Sequence, residues 1–296
     1  MEWKEIKEIL KNNEFCYYSN ENGVLLNGDV REVLKTLPTE IVDLIVTSPP
    51  YNVGIKYSDW DDKLQLNEYL EFVYDFLNAS KKVLKKDGRI ALNIPYEVNM
   101  KFIGDRINMV GEYHCVFKNL DYKFNGIVDL EELSPERVKY TAFGSFCSPS
   151  APYVYNPKEC VLLYSNELWK KQTKGEITIP KKLFMEVVKG IWKYDPETKG
   201  MTQANFSYDI PYKAIQLLTY KNEIVMDIFM GSGTTAVVAE QLERKWIGIE
   251  ISKKYCDVIV KRMENKEREF KKIKNKYMHY FEDDKKLKSK TVDDIF

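Results

Sequence analysis

Cysteine and histidine are scarce in this chain and dispersed where they occur. There are five cysteines (Cys16, Cys115, Cys147, Cys160 and Cys256) with no Cys-x-x-Cys pair, and two histidines, His114 and His279. Such spacing offers neither a disulfide framework nor a zinc site, so no metal is expected. An excess of one charge is also missing. Lys plus Arg and Asp plus Glu count 45 each, so the overall field gives no hint of a polyanionic partner, and any such contact must come from local patches. No apolar run approaches the roughly 18 residues of a membrane span, and the opening MEWKEIKEILKNNEF is too charged for a secretory signal. A cytoplasmic protein with no membrane partner is expected. What the chain does have is bulk: 44% hydrophobic and 13% aromatic residues among 296 are enough to bury a full core.

Seven short apolar runs read as strands: residues 24–26, 42–47, 89–94, 122–128, 159–164, 223–229 and 245–251. Helical spacing fills the gaps, best at Leu66, Tyr69, Leu70, Val73, Phe76, Leu77, Val83 and Leu84, closed by Lys85-Lys86-Asp87-Gly88 as a cationic last turn and glycine stop. Alternating strands and helices, with strands apolar throughout, predict an α/β fold whose mostly parallel sheet is covered by helices on both faces. Residues 165–205 break the rhythm, being rich in lysine and turn signals, and read as an inserted module. Residues 261–276 carry eight basic and three acidic side chains beside an apolar stripe of Ile259, Met263, Phe270, Ile273 and Tyr277. Either a solvated helix face or a nucleic-acid contact fits that pattern.

EIVMDIFMGSGTTAVVAEQLERKWIGIE has the order strand, glycine turn, helix, strand. Gly231-Ser232-Gly233-Thr234-Thr235-Ala236 fits G-x-G-x-x-G/A, and Glu250 falls 19 residues after Gly231 at the end of the next strand. Glycines let backbone approach a ligand, and an acidic strand end can take two ribose hydroxyls. A dinucleotide enzyme usually carries this unit near its N-terminus; here one strand remains after it. A ligand with a ribose and a carboxylate, such as S-adenosylmethionine, suits the position better.

The second motif is TSPPYN. The apolar strand 42–47 stops at Ser48-Pro49-Pro50-Tyr51, because paired prolines cannot donate ladder hydrogen bonds. Carbonyls left there can face a ligand. Taken together, and in this order, the two motifs resemble those of the DNA amino-methyltransferases of the β arrangement, whose target-base motif precedes the cofactor motif. GVLLNGDVREVLKTLPTEIVDLIVTSPPYNVG, TAFGSFCSPSAPYVYNPKECVLLYSN and DIPYKAIQLLTYKNEIVMDIFMGSGTTAVVAEQLERKWIGIEISKKYCDVIVKRM are similar to that family's opening, middle and closing blocks, and cover most of the chain.

The resemblance implies a Rossmann-like, S-adenosylmethionine-dependent methyltransferase fold with a seven-stranded sheet. It implies Ser48, Pro49, Pro50 and Tyr51 as catalytic residues: Ser48 and the Pro49 carbonyl would accept the hydrogens of the target amine, and Tyr51 would stack on the base, flipped out of the duplex. It also places Asp29, Thr47, Phe206, Asp227, Phe229, Gly231, Ser232, Gly233, Thr234, Thr235 and Glu250 at the cofactor, with Asp29 at its adenine, Asp227 and the loop from Phe229 to Thr235 at its methionine end, and Glu250 at its ribose. Departures are Ile228 and Ser207, where the family usually has proline, and Thr202, where it commonly has histidine. The serine form of the motif resembles the N4-cytosine branch, whereas N6-adenine enzymes more often carry aspartate at that position. Carbon-5 methylation would need a cysteine nucleophile, which its own family places after a proline; no cysteine here follows one.

Double-stranded DNA is therefore the expected partner, with a cognate restriction endonuclease and a monomeric or homodimeric state left open. Residues 1–164 would form the target-base part of the catalytic domain, 165–205 the target-recognition insert, 206–280 the cofactor part, and 281–296 a polar tail. Lys170, Lys171, Lys174, Lys181 and Lys182 are the candidate phosphate contacts, with Trp169 or Trp192 in packing roles. Rival readings are a NAD-dependent oxidoreductase, a non-catalytic nucleic-acid binder, and a methyltransferase acting on RNA or protein.

Overall fold

The apolar runs become strands because a residue buried from both sides of a sheet must be apolar on both faces. The computed structural model describes residues 1–55, 59–60, 62–100, 105–133, 144–154, 156–196 and 206–288. Its strands are β1 (Cys16–Ser19), β2 (Gly23–Asn27), β3 (Val42–Thr47), β4 (Leu84–Pro95), β5 (Glu97–Met100), β6 (Asp105–Asn108), β7 (Lys123–Glu132), β8 (Glu159–Ser165), β9 (Ile191–Tyr194), β10 (Ile224–Asp227) and β11 (Lys245–Glu250). The main helices are α1 (Trp3–Lys11), α2 (Val30–Val33), α3 (Leu66–Val83), α4 (Met109–Asn119), α5 (Lys181–Val187), α6 (Asp209–Leu218), α7 (Thr234–Gln241), α8 (Lys253–Glu264) and α9 (Glu267–Lys288).

All seven expected strands are present, but the sheet is larger than seven. It has nine strands in the order β1-β2-β11-β10-β3-β4-β8-β7-β9, and β5 and β6 form a separate hairpin. The run β2-β11-β10-β3-β4 is parallel, as is β7-β9; β1-β2, β4-β8 and β8-β7 are antiparallel. The two additional members, β1 and β9, are four-residue edge strands, too short for a period to show. β9 lies inside the lysine-rich stretch 165–205, where Trp192 is buried with its indole nitrogen donating to the Val187 carbonyl. This stretch thus contributes an edge strand and part of the core.

Each central strand feeds two apolar layers. Ile45 joins Val73 and Phe76 on one face, while Leu44 and Val46 join Ile215 and Val237 on the other. Each such fully buried side chain stabilises the fold by about 2 kcal/mol. α3 begins with a capping box between Gln65 and Glu68 and buries Tyr69, Phe72, Val73, Phe76 and Leu77. It ends at Val83, earlier than the sequence suggested. Leu84 is already extended and pairs with Val42, so Lys85 to Gly88 belong to β4 rather than to a cationic last turn.

The topology positions the site. From β3 the chain crosses through α3 to β4 on one side, and from β10 through α7 to β11 on the other, while β3 and β10 lie next to each other. Strand order reverses there, and such a reversal opens a crevice beyond the carboxyl ends of the strands.

Candidate active site

Both motifs converge on that crevice. Asp227, at the end of β10, is 2% exposed and ties them together. One carboxylate oxygen accepts from Thr47 Oγ1 at 2.7 Å and from the Phe229 amide at 3.1 Å; the other accepts from Thr235 Oγ1 at 2.6 Å. Burial raises its pKa, against the pull of these donors. Thr47 and Thr235 act here as clamps between the proline motif and the glycine loop.

Two cavities open at the crevice. The first, about 840 Å³ with its mouth included, is lined by Asp29, Trp60, Phe72 and Glu250 among others. The second, about 1200 Å³ by the same measure, is lined by Pro49, Tyr51, Asn93, Glu159, Phe206 and Asp227 among others. Ser48, Phe229 and Gly231 line both. A group reaching down one cavity therefore meets a group in the other at Ser48.

Around the first cavity, Glu250 accepts from the Gly231 amide at 2.7 Å and from the Ser252 amide at 2.8 Å. Burial nevertheless pushes its pKa up to about 7. Gly231 and Gly233 have φ of +54° and +84°, a region costly for side-chain-bearing residues. Asp29 caps α2 by accepting from the Arg31 amide, and pairs with the Arg31 guanidinium at 2.6 Å.

Around the second cavity runs a chain of polar side chains. Asn93 Nδ2 donates to Tyr51 Oη at 2.7 Å and to Glu159 Oε2 at 2.6 Å, and Tyr51 Oη lies 2.8 Å from Ser48 Oγ. Since Tyr51 accepts from Asn93, its own proton is free to point at Ser48 Oγ. The Pro50 carbonyl is taken by Tyr69 Oη at 2.9 Å. The loop after the prolines is fixed by Asp62, which accepts the amides of Asn52, Val53, Gly54 and Ile55 at 2.9 to 3.0 Å. That many donors hold the left-handed turn at Asn52, φ +57°, in place.

Of the residues expected at a cofactor, Asp29, Phe229, Gly231 and Glu250 line the first cavity, whereas Phe206, Asp227 and Ser232 line the second. Gly233 immediately precedes α7 as its N-cap, where an added Cβ would lie 3.2 Å from Ile259. Thr234 turns its hydroxyl to Arg262 Nη1 at 3.1 Å. Thr202 lies outside the described residues.

Sequence reasoning missed Asn93, Glu159, Asp62 and Arg262. The first two carried a signal, a polar residue beside or within an apolar strand run. Arg262 sits in the basic stretch 261–276 but is neither solvated nor set up for nucleic acid. Its side chain is 5% exposed, and its guanidinium pairs with Glu269 at 2.8 Å and donates to the Ser232 carbonyl at 2.8 Å and to Tyr208 Oη at 2.5 Å. It buttresses the glycine loop. R262A should destabilise the fold by about 3 kcal/mol, because Glu269 is left without its cation. R262K should restore little of this, since an ammonium cannot span the fork's partners; thermal unfolding of both variants checks it.

The proposed phosphate lysines are corrected in part. Lys171 is 8% exposed, 2.9 Å from Glu223 and 3.4 Å from Asp43. Asp43 stands near the start of β3 and Ser48 just beyond its end, about 16 Å apart at the usual strand rise. Lys171 is thus a buried structural cation at the far end of the sheet. Neighbouring Lys170 and Lys174 are exposed at that same end, where Gln172 N donates to Asp87 at 2.6 Å. Lys181 and Lys182 open α5, close behind Thr178, whose hydroxyl donates to Gln216 in the last turns of α6. Trp169 stacks under Arg89 at 4.6 Å. K171A should lower stability by about 3 kcal/mol, a fall in Tm of roughly 6 °C, with the salt dependence of DNA binding unchanged. A flatter salt slope would return Lys171 to the phosphate contacts.

Comparison with known proteins bears on the same crevice. The family model for N6 and N4 methyltransferases, described as DNA methylase, matches residues 42–261, from the start of β3 into the last turn of α8. This chain belongs to the DNA methylase family. The DNA methylase is 40% identical to the type II methyltransferase M.MjaVI of Methanocaldococcus jannaschii over 60% of this chain and 89% of that protein. It is 28% identical to the type II methyltransferase M.BamHI of Bacillus amyloliquefaciens over 93% of this chain and 68% of that one. Among solved structures, the PvuII DNA methyltransferase (cytosine-N4-specific) superposes with a TM-score of 0.66 at 22% identity, over 89% of this chain and 96% of that one. A putative DNA modification methylase of Thermus thermophilus complexed with S-adenosyl-L-methionine superposes with a TM-score of 0.65 at 21% identity, over 82% and 93%. At those identities the likeness is one of fold. Among the described residues no helix is long and apolar enough to cross a membrane.

Proposed function

We propose that this DNA methylase transfers a methyl group from S-adenosylmethionine to the exocyclic N4 amine of a cytosine flipped out of double-stranded DNA, as the modification enzyme of a restriction-modification system. The observation that carries the reading is the pair of cavities meeting at Ser48, Phe229 and Gly231. A methyl donor in one and an amine in the other require such a meeting point. Family membership supports DNA as substrate, and the type II methyltransferases among the relatives support the restriction-modification setting. The S-adenosylmethionine complex of the Thermus protein supports the cofactor, and the cytosine-N4 enzyme of the same fold supports the base.

The residues fit the cofactor. Glu250 faces the first cavity as an acceptor for ribose hydroxyls, and the positive φ of Gly231 keeps side-chain atoms out of the approach. When bound, S-adenosylmethionine supplies a methyl group activated by its sulfonium. The chain's own work is done on the amine, a poor nucleophile because its lone pair is delocalised into the ring. Ser48 Oγ and the Pro49 carbonyl accept the amine hydrogens and draw the nitrogen toward tetrahedral geometry, with its lone pair aimed across the crevice. Tyr51, pinned through its hydroxyl by Asn93 and Ser48, forms the wall against which the base rests. Extrusion of the base costs a few kcal/mol. With S-adenosylmethionine bound, the new N–C bond would replace the sulfonium S–C bond, and Ser48 would pass the displaced amine proton to solvent.

The test is to incubate the protein with radiolabelled S-adenosylmethionine and unmethylated genomic DNA, digest to nucleosides, and identify the labelled one. Label in N4-methylcytosine is the expected result. Label in N6-methyladenine would keep the geometry and overturn the base, and label in RNA or protein alone would overturn the substrate class.

A further inference from the structure

Within the second cavity one acidic side chain has no role in the chemistry above. We infer that Glu159 recognises the ring nitrogen beside the target amine and so is a base-specificity residue of this enzyme. The inference rests on the proposed transfer to a flipped base. Glu159 starts β8, opposite Pro95 of β4, and so stands at the carboxyl edge of the parallel strands, where the cavity opens. Asn93 links it to Tyr51, and Tyr51 to Ser48. Any base whose amine reaches Ser48 along this wall brings its adjoining ring edge toward Glu159.

Chemistry at that edge decides what Glu159 must do. The ring nitrogen beside the amine, N3 in cytosine and N1 in adenine, carries a lone pair and no proton, so its partner has to donate. An ionised carboxylate would repel it; a protonated carboxyl gives it a hydrogen bond. Burial raises the Glu159 pKa, against the donor Asn93. The groups around it do not offset this. Tyr51 in the loop after β3, Tyr194 on β9 and Cys160 beside it on β8 are themselves pushed up by burial and stay neutral. Asp227, on β10 across the cavity, is raised as well. Among the described residues, no cation is one of the groups that shift Glu159.

The experiment is a coupling cycle between protein and base. Nucleoside analysis of labelled DNA first fixes the methylated base. Duplexes are then prepared with that base or its analogue lacking the ring nitrogen, 3-deazacytosine or 1-deazaadenine, and kcat/KM is measured for the wild type, E159A and E159Q. The wild type should lose about 10- to 100-fold on the deaza substrate, the worth of one hydrogen bond left unmade. E159A should lose as much on the normal base and show no further loss on the analogue. E159Q, whose amide still donates, should stay within about tenfold of wild type on the normal base and lack the decline in kcat/KM that the wild type shows as pH rises through the Glu159 titration. Penalties that multiply in E159A would overturn the inference while leaving the methyltransfer reading intact. Label on adenine would overturn the cytosine assignment and leave Glu159 to be decided by the 1-deazaadenine arm. A wild type that labels no DNA base would overturn both.

Discussion

S48A should lower the single-turnover rate of methyl transfer by about 10²-fold, the usual cost of removing one positioned polar partner from a transition state, while S-adenosylmethionine affinity should shift by no more than a few-fold. The split follows from where Ser48 stands. It lines the first cavity, whose Glu250 is held by the Gly231 and Ser252 amides, and it is the hydroxyl at the meeting point of the two. Its lone pairs are conditioned by Tyr51, 2.8 Å away, which in turn accepts from Asn93. Y51F keeps the ring wall and breaks that chain, so its rate should fall by about tenfold, roughly the worth of one net hydrogen bond. Rapid-quench transfer with labelled cofactor, beside equilibrium binding of the cofactor, checks both variants. Equal losses of rate and of cofactor affinity in S48A would move Ser48 from the amine to the cofactor.

The parts legible in the sequence are those with a local signature. Paired prolines forced the end of β3, and the glycines at 231 and 233 do take positive φ. Glu250 fell at the end of its strand because one βαβ unit has a nearly fixed length. What the sequence hid depends on partners far along the chain. Asp227 is read as a ligand contact when seen alone, yet its oxygens are engaged by Thr47, 180 positions away, and by Thr235. Lys171 looks like a surface cation among other lysines until the fold brings Asp43 and Glu223 to it. Arg262 sits in a basic run that is otherwise mostly exposed, and nothing in that run marks it as the residue that turns inward. The strand β9 escaped notice because four residues are too few to show alternation, and its neighbours are turn formers and lysines.

Three buried carboxylates fix the backbone of both motifs around one crevice. Asp227 joins β3 to α7, Asp62 gathers the amides after the prolines, and Glu250 holds the glycine loop to the start of α8. Each is desolvated and each is raised by burial. Charge of that kind is costly in a stable fold and is concentrated where a ligand can use it.

Glu250 gives the second large effect, and its sign can be worked out. Its pKa in the folded protein is about 7, against 4.5 for an ordinary glutamate. The folded state therefore holds a proton that the unfolded chain gives up between those values, and stability declines as pH rises from about 4.5 to about 7. E250Q removes this dependence, and without cofactor it should be the more stable protein at pH 8, by about 3 kcal/mol at most. Cofactor binding runs the other way. In the proposed complex ribose hydroxyls donate to the carboxylate and favour its charged form, so affinity should be full above about pH 7 and should fall by up to about tenfold per pH unit below it. In E250Q the affinity should be weaker by about 10- to 100-fold at pH 8, the cost of charge-assisted hydrogen bonds, and flat with pH. Calorimetric titration of S-adenosylmethionine into both proteins from about pH 5.5 to about pH 8.5, in two buffers of different ionisation enthalpy, reads the affinity and the proton released. A wild-type affinity independent of pH, with no proton release near pH 7, would remove Glu250 from the ribose.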